Sequence, residues 1–136
     1  MSRPFLSLVL AFAALGAQAQ QLDPGEWDFA TTATAPGLPR PTSTGVRVCI
    51  TQELSKDPLR WGSSPQQPAD CRVTALKLGP DTLGWDMECP GSGMRGAGKA
   101  RLGRGSMESE VQLGSTVGGV DLRMKTSGRR LGPCKP

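Results

Sequence analysis

The chain has no histidine and no tyrosine, and aromatic residues fill only 4 % of its 136 positions. Histidine is the commonest general base and metal ligand, so its absence removes the usual routes to nucleophilic and metal chemistry. A zinc site built on cysteine alone would need closely spaced ligand pairs. Cys49, Cys71, Cys89 and Cys134 are too widely separated for that. Neither a G-x-S-x-G elbow nor a G-x-x-x-x-G-K-[ST] phosphate loop occurs; the glycines of GSGMRGAGKARLGRG fall in strand and turn patterns instead. The scarcity of rings argues against nucleic acid, where bases stack on aromatics. A long hydrophobic run is also missing. The apolar stretch Phe5 to Leu15 is shorter than the about 20 residues that span a bilayer. The expectation is a protein with no catalytic residue, no metal, no cofactor and no transmembrane segment.

What is present begins with that short run. Arg3 precedes it and Ala17-Gln18-Ala19 follows it, the small-x-small pattern of a cleavable signal peptide. Residues 1–19 therefore read as a signal peptide cut after Ala19, and residues 20–136 as a single periplasmic or secreted domain. All four cysteines lie in that domain, and an even count in a small exported chain reads as two disulfides. Charge is unevenly placed: residues 95–136 carry nine basic and three acidic side chains, residues 20–94 six and nine. A basic C-terminal third can attract an anionic envelope component.

From Gly25 onward the hydrophobic pattern has a period of two. GEWDFATTAT, TGVRVCI, DCRVTALKL, TLGWDMEC, MRGAGKARL, SMESEVQL and VDLRMKT each alternate apolar and polar residues. TQELSKDP, with Thr51 as N-cap and Pro58 as terminator, is one short helix. LRWGSSPQQPAD is loop, and its Trp61 reads as a ring tucked over the core. Placing the last three turns at 91/92, 103/104 and 116/117 sets Glu88 against Arg95, Lys99 against Glu108, Glu108 against Lys125 and Glu110 against Arg123. The middle turn then has Gly103 first, as a type II′ hairpin requires. Trp85 falls opposite Gly98, where a ring can cover a bare backbone. Asp86/Glu88 and Glu108/Glu110 have the spacing of a carboxylate pair, but the cations facing them make ion pairing the simpler reading. The expected fold is all-β: an antiparallel up-and-down sheet of about seven strands, curved or half-barrel, with one short helix.

Four segments stand in an order that resembles a known family: Pro24-Gly25-Glu26-Trp27, Cys49-Ile50-Thr51-Gln52-Glu53, Trp85 to Cys89, and Gly128 to Cys134. They are similar to the PG-x-W-E-like opening, C-[LI]-T-x-E segment, W-x-x-x-C strand and G-[RK]-x-x-G-x-C finish of the bacterial exported family catalogued as domain of unknown function 3617. The resemblance implies an exported β-rich protein and brings no activity, ligand or catalytic residue with it.

Strands that simply alternate up and down would put Cys49, Cys71 and Cys89 at one end of the sheet. On that basis the preferred pairing is Cys49–Cys71 with Cys89–Cys134, and the rival is Cys71–Cys89 with Cys49–Cys134. Two binding readings follow. A small hydrophobic ligand would lie on the face of Trp27, Phe29, Trp85, Met87, Met107 and Met124, where methionine adapts to irregular volumes. Alternatively the basic C-terminal third would meet a protein or an anionic surface. There Arg129 and Arg130 read first as a solvated sheet edge and second as anion contacts.

Overall fold

The alternating segments become seven strands in the computed structural model, which describes residues 22–57, 70–115, 117 and 121–136. The expected signal peptide, Trp61 and Val120 lie outside those residues. In chain order the elements are β1 (Gly25–Thr34), β2 (Thr42–Ile50), α1 (Gln52–Ser55), β3 (Arg72–Leu78), β4 (Thr82–Cys89), β5 (Met94–Gly103), β6 (Ser106–Ser115) and β7 (Asp121–Gly132). All strand pairings are antiparallel, and the order across the sheet is β2-β1-β7-β6-β5-β4-β3. The sheet is open, as expected. In α1 the Thr51 hydroxyl accepts from Leu54 N–H at 3.1 Å, the expected cap.

The order departs from a plain meander at one place. The β1–β2 hairpin joins the sheet through β1 against β7 instead of through β2 against β3, so the last strand lies inside the sheet. With every neighbour antiparallel, β2 and β3 run the same way at opposite edges. Ile50 therefore ends at one end of the sheet, and Cys71 stands at the other.

This corrects the expected disulfides. The bonds are Cys49–Cys134 and Cys71–Cys89, the rival pairing. Cys49 faces Glu26 of β1, and Glu26 faces Gly132 of β7, so β1 brings the C-terminal cysteine across to β2. Simple up-and-down alternation had assigned Cys49 to the wrong end.

Register is also partly corrected. The β4–β5 hairpin is as expected, with Glu88 opposite Arg95 and Trp85 opposite Gly98. The β5–β6 pairing is two residues off: Lys99 faces Glu110 and Arg101 faces Glu108. The turn residues are Arg104-Gly105, and the left-handed backbone falls at Gly105, φ 67°, rather than at Gly103. In β6–β7, Glu110 faces Lys125 and Gln112 faces Arg123. A slip of two keeps every side chain on its face, which is why the hydrophobic pattern alone could not detect it.

One face carries the apolar set. Trp27 is fully buried, its indole Nε1–H donates to the Asp23 carbonyl at 2.8 Å, and its ring stacks on Phe29 with centroids 5.8 Å apart. Around it gather Leu22, Ile50, Leu102 and Met107, with Phe29, Val48 and Leu54 at the margin. Two glycines on this face are covered by rings. Trp85 lies across Gly98, and Phe29 lies across Gly128, where a built Cβ would come within 2.6 Å of the ring.

Candidate functional site

The opposite face is polar, and its charges follow a rule. β3 presents Arg72 and Lys77, β4 Asp86 and Glu88, β5 Arg95, Lys99 and Arg101, and β6 Glu108 and Glu110. β7 presents Arg123, Lys125 and Arg129, β1 Glu26 and Asp28, and β2 Arg47. The sign alternates strand by strand across the sheet, with Asp121 at the start of β7 as the exception. Directly facing opposite charges contribute about 0.2–1 kcal/mol each. Arg72 Nη2 and Glu88 Oε2 are in contact at 3.4 Å, with both side chains exposed, so their pair adds little stability. Both edge strands are basic, which disfavours closing β2 onto β3 and blunts edge-to-edge association.

Two grooves open on this face. The smaller, about 530 Å³, is lined by Asp86, Glu88 and Asp121 with Arg95 and Arg123, so carboxylates outnumber cations. The larger, about 900 Å³, reaches from Ala30 on β1 to Lys77 on β3. Its ends are five strand spacings apart, about 24 Å. It runs across the strands between two rows of polar-face residues. Lys77, Lys99, Arg101 and Lys125 line it against Glu108 and Glu110. A cleft with one excess sign raises the local concentration of counter-charged ligand.

The register fixes where these groups stand. Lys77, Gly84, Lys99, Glu110, Lys125 and Thr32 form one row across six strands. Thr82, Arg101, Glu108, Ser127 and Ala30 form the next. The four lining cations were not singled out from sequence, apart from Lys99 and Lys125 as ion-pair partners. The usable signal was the alternation of sign together with the β3–β4 and β4–β5 pairings, which place Lys77 and Lys99 on either side of Gly84.

The residues that sequence did single out are placed elsewhere. Trp27, Phe29, Trp85, Met87, Met107 and Met124 all lie on the apolar face. Trp27, Met87 and Met107 are 0, 4 and 6 % exposed, and Phe29, Trp85 and Met124 are half-buried. Trp27, Phe29 and Met107 meet in one cluster; Trp85, Met87 and Met124 are not part of it.

Arg129 and Arg130 are not on an edge, because β7 lies between β1 and β6. Arg129 is exposed on the polar face opposite Asp28. Arg130 points to the other face, half-buried, and its Nε–H donates to the Pro24 carbonyl at 2.7 Å. Its backbone N–H donates to Gly105 at 2.9 Å, and Gly105 N–H in turn donates to the Asp23 carboxylate at 3.3 Å. Arg130 thus ties the start of β1 to the β5–β6 turn.

Fold and disulfides define an open, all-antiparallel β-sheet protein stapled at both ends. Among the described residues no helix is long and apolar enough to cross a membrane, and this together with two disulfides is compatible with export. The chain belongs to the family described as Protein of unknown function (DUF3617), which matches it over residues 22–134. No curated protein and no solved structure matches it.

Proposed function

We propose that this is an exported, non-enzymatic binding module that takes anionic ligands in the larger groove of its polar face. The observation that carries the reading is the groove itself: about 900 Å³, with Lys77, Lys99, Arg101 and Lys125 set against Glu108 and Glu110. A ligand on the Met/Trp face would have to displace packing around side chains as buried as Trp27 and Met107, whereas the groove is already open. A non-catalytic role is supported by the residue types. The chain offers no histidine or tyrosine, and each groove glutamate faces at least one cation across the strands.

Pyrophosphate titrated by calorimetry is the direct test, with the Lys99→Gln/Lys125→Gln double variant as control. Saturable binding is expected, weakening about tenfold or more between roughly 20 and 200 mM salt as screening sets in. The double variant should lose most of it. Absence of saturable binding, or binding that the double variant retains in full, would reject the groove.

A further inference from the structure

We propose that the free edge of β3 takes up an extended segment of a partner protein, one whose side chains alternate acidic and apolar, as a further strand of the sheet. β3 stands last in the strand order, and among the described residues no strand lies beyond it. A strand in that position turns part of its N–H and C=O groups outward without a ladder partner, and an added strand completes them.

The bulge in β3 sorts its side chains. The register shift between Val73 and Ala75 sets Val73 opposite Met87, Leu76 opposite Trp85 and Leu78 opposite Leu83, all on the apolar face. Arg72, Ala75 and Lys77 then face Glu88, Asp86 and Gly84 on the polar side. Along β4 the apolar row includes the buried Leu83 and Met87. Along β3 Val73, Leu76 and Leu78 are 37, 40 and 62 % exposed, and no other strand carries three large exposed apolar side chains among the described residues. Apolar residues on an added strand would cover the outer flank of that row.

The polar face specifies the sign of the partner. Acidic β4, β6 and β1 each lie between two basic strands, and basic β5 and β7 each lie between two acidic ones. β3 is basic and has an acidic neighbour on one side only. Its Arg72 contacts Glu88 at 3.4 Å, whereas Lys77 faces Gly84, which offers no carboxylate. A glutamate or aspartate opposite Lys77 on an added strand continues the alternation, and a lysine there would be repelled. The same rule turns away a second copy of this chain, since both of its edge strands are basic. The other edge, β2, presents one strongly exposed apolar side chain, Val46, and one cation, Arg47. The partner's central feature is therefore an apolar–acidic–apolar tripeptide laid along Leu76, Lys77 and Leu78.

The probe is a capped synthetic peptide in which every second residue is valine and the others are glutamate or threonine. The control peptide has lysine in place of each glutamate. Fluorescence anisotropy should show saturable binding of the acidic peptide, about tenfold tighter than that of the lysine peptide. Lys77→Glu should reverse the preference. Val73→Thr/Leu76→Thr keeps side chains that favour strands and should weaken the acidic peptide about tenfold, with pyrophosphate binding unchanged. Lys99→Gln/Lys125→Gln, which disables the groove, should leave peptide binding intact. Hydrogen exchange should report new protection within Arg72–Leu78 and none within Thr42–Ile50. Circular dichroism checks the fold of each variant.

Absence of saturable binding by the acidic peptide would overturn the proposal, as would equal affinity for the two peptides. Protection on β2 in place of β3 would assign the other edge and reject this one. Loss of peptide binding in the groove variant would put the peptide in the groove and likewise reject the edge. Failure of pyrophosphate to bind, with the peptide results as expected, rejects the groove reading alone and supports the edge.

Discussion

At the scale of single residues the structure turns on glycines that lie under rings. Trp85 over Gly98 and Phe29 over Gly128 each cover a stretch of backbone that a side chain would push away. Gly98→Ala should therefore destabilise the protein by about 1–3 kcal/mol, the usual range for overpacking. In a Trp85→Ala background the same change should be neutral or mildly stabilising, because alanine is the better residue in a strand interior. Urea unfolding of the four proteins in that cycle measures the coupling, and equal costs in both backgrounds would show that the ring does not sit on this glycine. The Trp85–Gly98 contact was legible in the sequence, since the turn Pro90-Gly91-Ser92-Gly93 fixes its register. Phe29 over Gly128 was not, because nothing local joins residues so far apart in the chain.

At the scale of elements, period-two alternation identified all seven strands and the Thr51 cap identified the helix. Alternation says which face a residue occupies, and it says nothing of which strand lies beside it. The sequence reading consequently had β4–β5 right and β5–β6 two residues out, with the faces correct in both. Gly105 settles the second hairpin, because its φ of 67° is one that side chains avoid. Gly105→Ala should cost about 1 kcal/mol, read as a lowered urea midpoint; an unchanged midpoint would argue for the other register. The position of β1 beside β7 is a tertiary fact, although charge bore on it. An acidic β1 beside a basic β7 continues the alternation of sign, and the open edges are the two strands that would break it if joined. Once the rows were fixed, the groove cations became a group; along the chain Lys77 lies outside the basic third that holds Lys99, Arg101 and Lys125.

At the scale of the whole molecule, β1 and β2 find their place only against β7, and the disulfides are correspondingly nested. Cys71–Cys89 spans 18 residues, within the interval of 85 residues spanned by Cys49–Cys134. Time makes that nesting consequential. A chain that emerges N-terminus first presents Cys49, then Cys71, long before Cys134. Pairing cysteines in order of appearance would join Cys49 to Cys71, which is the wrong bond, and would leave Cys89 to wait for Cys134. The β3–β7 meander can assemble from local hairpins, but the N-terminal hairpin has no neighbour until the last strand arrives. Acid-trapped intermediates of oxidative folding should accordingly contain a Cys49–Cys71 species that a disulfide isomerase clears, and their absence would mean that β7 docks before Cys49 is oxidised. Docking the first hairpin against the last strand thus ties the Cys49–Cys134 bond to the arrival of β7.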